Sequence, residues 1–205
     1  MTILSIILLF SAWIIYFCIH SILASLAFKR YVSQHWPRLM PAYRLLFNLI
    51  SLILLIIPLT LQHHNTGKLL WNWSGISVIV MNGLAISAAL TILWTLKYYD
   101  GTDFSGLKQL RDGITDVQDQ EHFVVSPLHR FVRHPWYFLI LIILWTRPMD
   151  QATLIGTVLI TLYLMIGSRL EESKLLIYHG EQYQCYRSQV PGLFPLPWKY
   201  LKKAS

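Results

Sequence analysis

Charge is scarce in this chain. Only 13% of its 205 residues are Asp, Glu, Lys or Arg, against about 25% in a soluble domain. Acids are scarcer than bases, 10 against 17. So little charge beside so much apolar sequence excludes an ordinary water-soluble enzyme, a coiled coil and a disordered chain. Cysteine is nearly absent as well. Two cysteines exclude a disulfide scaffold and a Cys-based zinc module. The histidines are scattered and form no ligand set, so no metal is expected. There is no internal repeat and no string of polar residues through the apolar runs, which argues against a transporter. What is abundant is apolar surface: 55% hydrophobic residues and a mean hydropathy of +0.47. These values point to an integral membrane protein in a lipid bilayer, small enough to be one domain over residues 1–205.

Thr2–Phe28, Leu45–Gly67 and Leu69–Leu96 contain no Asp, Glu, Lys or Arg. Each supplies the roughly 20 apolar residues that cross a bilayer. Two shorter runs follow, His134–Thr146 and Gln151–Ser168, separated by Arg147-Pro148-Met149-Asp150. Proline between charges reads as a tight turn joining a helical hairpin. The expected fold is therefore all-α, a polytopic membrane helical bundle of about five transmembrane helices. The fourth run is short and needs tilting or shielding by protein to span. The first run is too long for a cleaved signal peptide, and no basic residue precedes it.

Fifteen of the 17 Lys and Arg fall on one side of these spans. They are Lys29, Arg30, Arg38 and Arg44 in the first loop; Lys97, Lys108, Arg111, Arg130 and Arg133 in the third; and Arg169, Lys174, Arg187, Lys199, Lys202 and Lys203 in the tail. Lys68 and Arg147 lie opposite. This bias predicts an outer N-terminus and a cytoplasmic C-terminus. Basic residues that flank membrane helices report topology, so no nucleic-acid partner is expected. Cys18 in the first span and Cys185 in the tail read as free thiols. His20, also inside the first span, either has a functional role or satisfies an interhelical hydrogen bond.

Polar chemistry gathers in three places. Arg130-Phe131-Val132-Arg133-His134-Pro135-Trp136-Tyr137 marks the entry to the fourth span. Pro135 suits the first turn of a helix, and Arg133 and His134 would then lie where free N–H groups attract anions. The same residues also read as a basic interfacial anchor with an aromatic belt. Arg169-Leu170-Glu171-Glu172-Ser173-Lys174 follows the fifth span. Its adjacent glutamates point about 100° apart on a helix, and Arg169–Glu172 and Glu171–Lys174 have the spacing of helical ion pairs. The third cluster, Tyr178 to Arg187, carries aromatic residues at intervals of three to five, as an amphipathic interfacial helix would. Gly180 within it reads as a helix cap or hinge. Val190-Pro191-Gly192 and the prolines after it cannot be regular structure.

In order, these pieces are Arg133-His134-Pro135-x-Tyr137, a membrane hairpin, Glu171-Glu172-x-x-Leu175, Gly180-x-x-Tyr183-x-x-Tyr186, and Val190-Pro191. That order resembles the integral membrane methyltransferases of the isoprenylcysteine carboxyl methyltransferase and phospholipid methyltransferase superfamily. His20 to Ser25, Tyr43-Arg44 with Asn48, and Phe104 to Gln109 resemble its bacterial branch of methanethiol S-methyltransferases and denitrification-associated NnrU-type proteins. Two positions depart from the pattern. Pro127-Leu128-His129-Arg130 stands where Gly-x-Tyr-Arg is common, and Leu139 where glycine is common.

The resemblance implies S-adenosylmethionine as methyl donor, in a cytoplasm-facing site of the bacterial inner membrane. It implies cofactor binding by Arg133, His134, Pro135, Tyr137, Glu171, Glu172, Tyr183 and Tyr186, with His134, Arg133 and Glu172 as the catalytic set. Arg133 suits the cofactor carboxylate, Glu171 or Glu172 its ammonium or ribose, and the tyrosines its adenine or sulfonium. His134 is either a cofactor ligand or the base for the nucleophile. The expected acceptor is a small or lipophilic nucleophile, a thiol favoured. Residues 1–96 would then be a three-helix scaffold and 97–205 the cofactor-binding, catalytic half. The rival expectation is a non-catalytic NnrU-like accessory factor that keeps the fold.

Overall fold

The computed structural model describes residues 1–115, 117 and 126–201; Lys202 and Lys203, counted above among the basic residues of the tail, lie outside the described residues. The elements run α1 (Ile3–Ala24), α2 (Leu26–His35), α3 (Met40–His64), β1 (Leu69–Trp71), α4 (Ile76–Thr95), α5 (Gly101–Ser105), α6 (Leu107–Asp112), α7 (Pro135–Trp145), β2 (Met149–Asp150) and α8 (Gln151–Gln189). The architecture is an all-α polytopic helical bundle with one two-stranded antiparallel ribbon. The helices α1, α3, α4 and α8 are long and apolar enough to cross a membrane, and this is an integral membrane protein.

The uncharged runs become helices, with three corrections. The first run does not stay one helix to Phe28. Ser25 is extended (φ −74°, ψ 144°); its hydroxyl donates to Ile22 O at 2.7 Å and accepts from the Phe28 N–H at 3.2 Å. One residue thus closes α1 and caps α2. The third run is not helical from its start: Leu69–Trp71 is a strand, and α4 begins only after Gly75 (φ +55°). The expected fourth span, α7, has 11 residues, about 16 Å at 1.5 Å per residue, half of a ~30 Å hydrocarbon core. It ends where the Thr146 hydroxyl returns to Ile142 O at 2.7 Å. The expected tight turn at Arg147–Asp150 contains β2, which pairs with β1 in the register Leu69↔Asp150 and Trp71↔Met149. Asp150 then caps α8 by accepting from the Thr153 N–H at 2.9 Å.

The chain packs as two compact units. One comprises Met1–Trp71, Leu96–Gln120 and Met149–Gly156; the other Asn72–Thr95, Glu121–Pro148 and Thr157–Ser205. In the first, Leu9, Trp13 and Phe17 are buried at a spacing of four on α1, which packs on α3. His20 Nδ1 and Ser51 Oγ lie 3.1 Å apart, so an interhelical hydrogen bond satisfies this intramembrane histidine. Asn48 on α3 donates to the carbonyls of Phe104 and Ser105, each at 3.1 Å. Gly106 completes that docking: at φ +91°, a Cβ there would stand 2.5 Å from Leu45 N, so only glycine fits. Cys18 is a free thiol in this unit, and Cys185 in the other.

In the second unit α4 packs on α7 through the small buried residues Ala85, Ala88 and Thr95, as helices do in lipid. Trp136, which also reads as part of an aromatic belt, donates to Thr95 Oγ1 at 2.8 Å. Leu139 is buried on α7. Arg147 Nη1 donates to Asn82 Oδ1 at 3.0 Å, which gives a charge at the end of α7 a polar partner on α4. After Ser168 the apolar sequence of α8 ends, and a charged helical extension begins. Gly180 breaks that extension at φ 47°, ψ −125°.

Candidate functional site

The second unit assembles the site from both ends of its polar sequence. Pro135 is the first residue of α7 and His134 its N-cap, as the sequence predicts. The N–H groups just before α7 are not left for an anion. The Arg133 N–H donates to Pro191 O at 2.9 Å, and the His134 N–H to Gly192 O at 3.2 Å. The irregular segment Val190-Pro191-Gly192 is therefore held on the entry to α7. Gly192 lies so close that a Cβ would stand 3.1 Å from Arg133 Nη2.

Glu172 is the hub. It is 6% exposed. Its Oε1 accepts from Arg133 Nε at 2.8 Å, faces Arg133 Nη2 at 2.7 Å and lies 3.1 Å from His134 Nε2. Its Oε2 meets Arg187 Nε at 3.2 Å. Arg133 Nη1 donates to Arg187 O at 2.8 Å and to Val190 O at 2.7 Å. The Arg133 fork is filled from within the protein, and the buried carboxylate is compensated by two guanidinium groups and the His134 imidazole, as burial of a charge requires. The helical pairing expected between Arg169 and Glu172 gives way to these partners.

Glu171 turns outward and is 46% exposed on its side chain. Its Oε2 accepts from the Tyr137 hydroxyl at 3.2 Å and lies 3.4 Å from His134 Nδ1. His134 thus bridges the two adjacent carboxylates, one at each ring nitrogen, and stacks on Tyr137 at 5.2 Å between centroids. Arg133, His134, Tyr137, Glu171 and Glu172 are brought together. Tyr183 and Tyr186 are placed differently: at 1% and 6% exposed they form a core with Val190, and the Tyr186 hydroxyl donates to His129 O at 2.7 Å.

Three participants were missed by sequence reasoning. Arg187 follows Glu172 by fifteen residues, about 22 Å along a straight helix, so no local spacing links them. Only the break at Gly180 permits the pair. Gly192 carried no signal beyond its place beside Pro191. His129, noted only as a departure, lies 2.6 Å through Nδ1 from the buried Ser126 hydroxyl.

Burial pushes the His134 imidazole toward neutrality, but the hydrogen bonds it donates to Glu171 and Glu172, with the charge of those carboxylates, outweigh it and hold its pKa above the ordinary 6.5. Burial, reinforced by the His134 charge, pushes His129 the other way, from 6.5 to about 4. The signs give opposite limbs. The His134 contribution to stability is complete below pH 6.5 and is lost as pH rises through the raised folded value. The His129 contribution is present above pH 6.5 and is lost as pH falls toward about 4. Thermal stability of the detergent-solubilised protein is expected to fall on both sides of a maximum near neutrality. His134→Gln should remove the alkaline limb and His129→Gln should weaken the acid one. A melting profile that keeps its alkaline limb in His134→Gln contradicts the assignment.

Among known proteins, the chain is 29% identical over 187 residues to a methanethiol S-methyltransferase of Crocosphaera subtropica, covering 86% of this chain and 69% of that protein. It is 30% identical to methanethiol S-methyltransferase 2 of Bradyrhizobium diazoefficiens, covering 86% and 68%. It is also 30% identical to a methanethiol S-methyltransferase of a Pseudomonas species, again covering 86% and 68%. No family model matches the chain, and no solved structure matches it. With this identity over most of both chains, and with the Arg-His-Pro and Glu-Glu residues gathered on one buried carboxylate, the chain belongs to the methanethiol S-methyltransferase family, within the isoprenylcysteine carboxyl methyltransferase-like superfamily of membrane methyltransferases.

Proposed function

We propose that this chain is an S-adenosylmethionine-dependent methyltransferase of the membrane, acting on a small thiol or a similar lipophilic nucleophile. The observation that carries the reading is the cluster on Glu172, which presents both signs of charge at its surface. Arg187 is 48% exposed beside the buried carboxylate, and Glu171 is half-exposed beside Tyr137. A zwitterionic amino-acid group needs such a pair of opposite charges. Arg187, backed by Arg133, suits its carboxylate; Glu171, backed by Glu172, suits its ammonium or the ribose hydroxyls. The Tyr137 ring suits a sulfonium or adenine face, with Tyr183 and Tyr186 supporting the wall behind. S-adenosylmethionine would supply a methyl group already activated on sulfur. The chain's contribution is then chiefly alignment. His134, facing a carboxylate at each ring nitrogen, holds Glu171 and Glu172 in place, and Pro135 fixes the start of the helix that carries Tyr137. The thiol preference is supported by the relatives, which are named for S-methylation of methanethiol. In this reading residues 97–205 are the catalytic half and residues 1–96 the scaffold.

Calorimetry of S-adenosylmethionine against the detergent-purified protein tests the cofactor. Gas chromatography of the thioether formed from methanethiol tests the acceptor, with lipid and prenylcysteine acceptors run in parallel. Saturable binding and a thioether product are expected. Well-folded protein that binds no S-adenosylmethionine overturns the reading in favour of an accessory factor. Methylation of a lipid acceptor but no thiol overturns the acceptor alone.

The charge bias of the loops supports an inner-membrane protein with its N-terminus outside and C-terminus cytoplasmic. Cys185, exposed on the extension of α8, reports on this. A membrane-impermeant maleimide is expected to label it only after the cells are permeabilised, and labelling of intact cells reverses the topology.

A further inference from the structure

The first 99 residues contain no Asp or Glu, yet α2 and the turn after it carry Lys29, Arg30 and Arg38. The acids of the same unit that the structure describes are engaged elsewhere. Asp103 lies 3.8 Å from Arg44 and accepts from Gln109. Asp112 pairs with Arg111 at 2.8 Å. Asp100 caps α5, and Asp150 caps the start of α8. Arg30 and Arg38 are exposed, and none of these described acids is the partner of either, which leaves them open to an anion from outside the chain.

The surroundings say which anion. A single residue, Ser25, separates α2 from the membrane span α1, so this surface stands at the edge of the apolar layer. Val32 is the buried residue of α2, while Tyr31 and Trp36 are 47% and 51% exposed. Tyr31 lies 4.2 Å from the His35 ring and 5.8 Å from the Trp36 ring between centroids. Tyr31, His35 and Trp36 therefore form an exposed aromatic group, and an exposed arginine flanks it on either side in the sequence. Tyr and Trp settle at the boundary between acyl chains and headgroups, and juxtamembrane cations are drawn to anionic lipid. We propose that this surface binds the phosphate headgroups of anionic phospholipids, with Arg30 and Arg38 as the phosphate ligands and Tyr31 and Trp36 seated at the acyl boundary. The site uses none of the residues of the Glu172 cluster and does not depend on methyl transfer.

The test compares full-length protein in nanodiscs of phosphatidylcholine alone and of phosphatidylcholine mixed with phosphatidylglycerol. Wild-type protein is expected to melt higher in the mixed lipid. It should also retain phosphatidylglycerol over phosphatidylcholine in native mass spectrometry, with a preference of about fivefold per arginine that shrinks at high salt. The Arg30→Gln/Arg38→Gln variant should melt like wild type in phosphatidylcholine and lose the increment in the mixture. Equal melting of wild type in both lipids, or a variant that keeps the full increment, overturns the proposal. Should the variant fail to fold, the salt-dependent lipid preference of the wild type decides alone: its absence sinks the site.

Discussion

Glu172→Ala is expected to abolish saturable S-adenosylmethionine binding and to destabilise the protein by about 3 kcal/mol, because truncating one partner of a buried ion pair leaves the others uncompensated. The groups left behind are Arg133, His134 and Arg187, all within 3.2 Å of the lost carboxylate. Glu171→Gln separates binding from folding. Glu171 is half-exposed, so its loss should change stability by less than about 1 kcal/mol while weakening binding about tenfold or more, the usual cost of a lost charge-assisted hydrogen bond. Chemical unfolding in detergent and calorimetry measure the two effects. Full affinity in Glu171→Gln, together with full affinity in any folded Glu172 variant, would remove the Glu172 cluster as the cofactor site.

Gly180→Ala is the second large effect. At φ 47° and ψ −125° the residue sits where an L side chain is strained by about 1–3 kcal/mol. Nothing lies within 4 Å of a Cβ there, so the penalty is conformational and no clash contributes. The helix relieves the strain by straightening. Arg187 would then move toward the ~22 Å separation from Glu172 that a continuous helix imposes. The Tyr186 hydroxyl would leave His129 O, and the Arg133 bonds to the Arg187 and Val190 carbonyls would go with it. Binding of S-adenosylmethionine is expected to fall at least tenfold with the membrane-spanning helices intact by circular dichroism. An Ala variant with wild-type affinity and melting temperature would mean that the break at Gly180 does not hold the site together.

Much of the fold was readable along the chain because hydropathy is a local sum. An uncharged run of about 20 residues must be helical to cross lipid, since no water remains to satisfy its backbone. The centres of α1, α3, α4 and α8 follow directly. Their ends do not. Ser25 closes α1 inside an uncharged run, and Leu69–Trp71 leaves the helix to pair with β2, a partner some eighty residues away. α7 stops after 11 residues although its run gave it two more.

The site divides in the same way. Pro135 at the start of α7 and the glycine break at 180 are backbone chemistry, written in single residues. Arg133, His134, Glu171 and Glu172 could be named from their order in the sequence. Their partnerships could not. Helical spacing offered Glu172 its neighbour Arg169, whereas the folded chain gives it Arg133, His134 and Arg187. A buried carboxylate takes whichever cations chain reversal brings within about 4 Å. Composition and hydropathy determined that this is an all-α membrane protein, and the order of its motifs marked Arg133, His134, Glu171 and Glu172 as the candidates for its chemistry. Only the tertiary structure decided that Arg133 is spent on Glu172 and backbone carbonyls while Arg187 and Glu171 keep exposed surface, because ion pairing depends on distance in space and not along the chain.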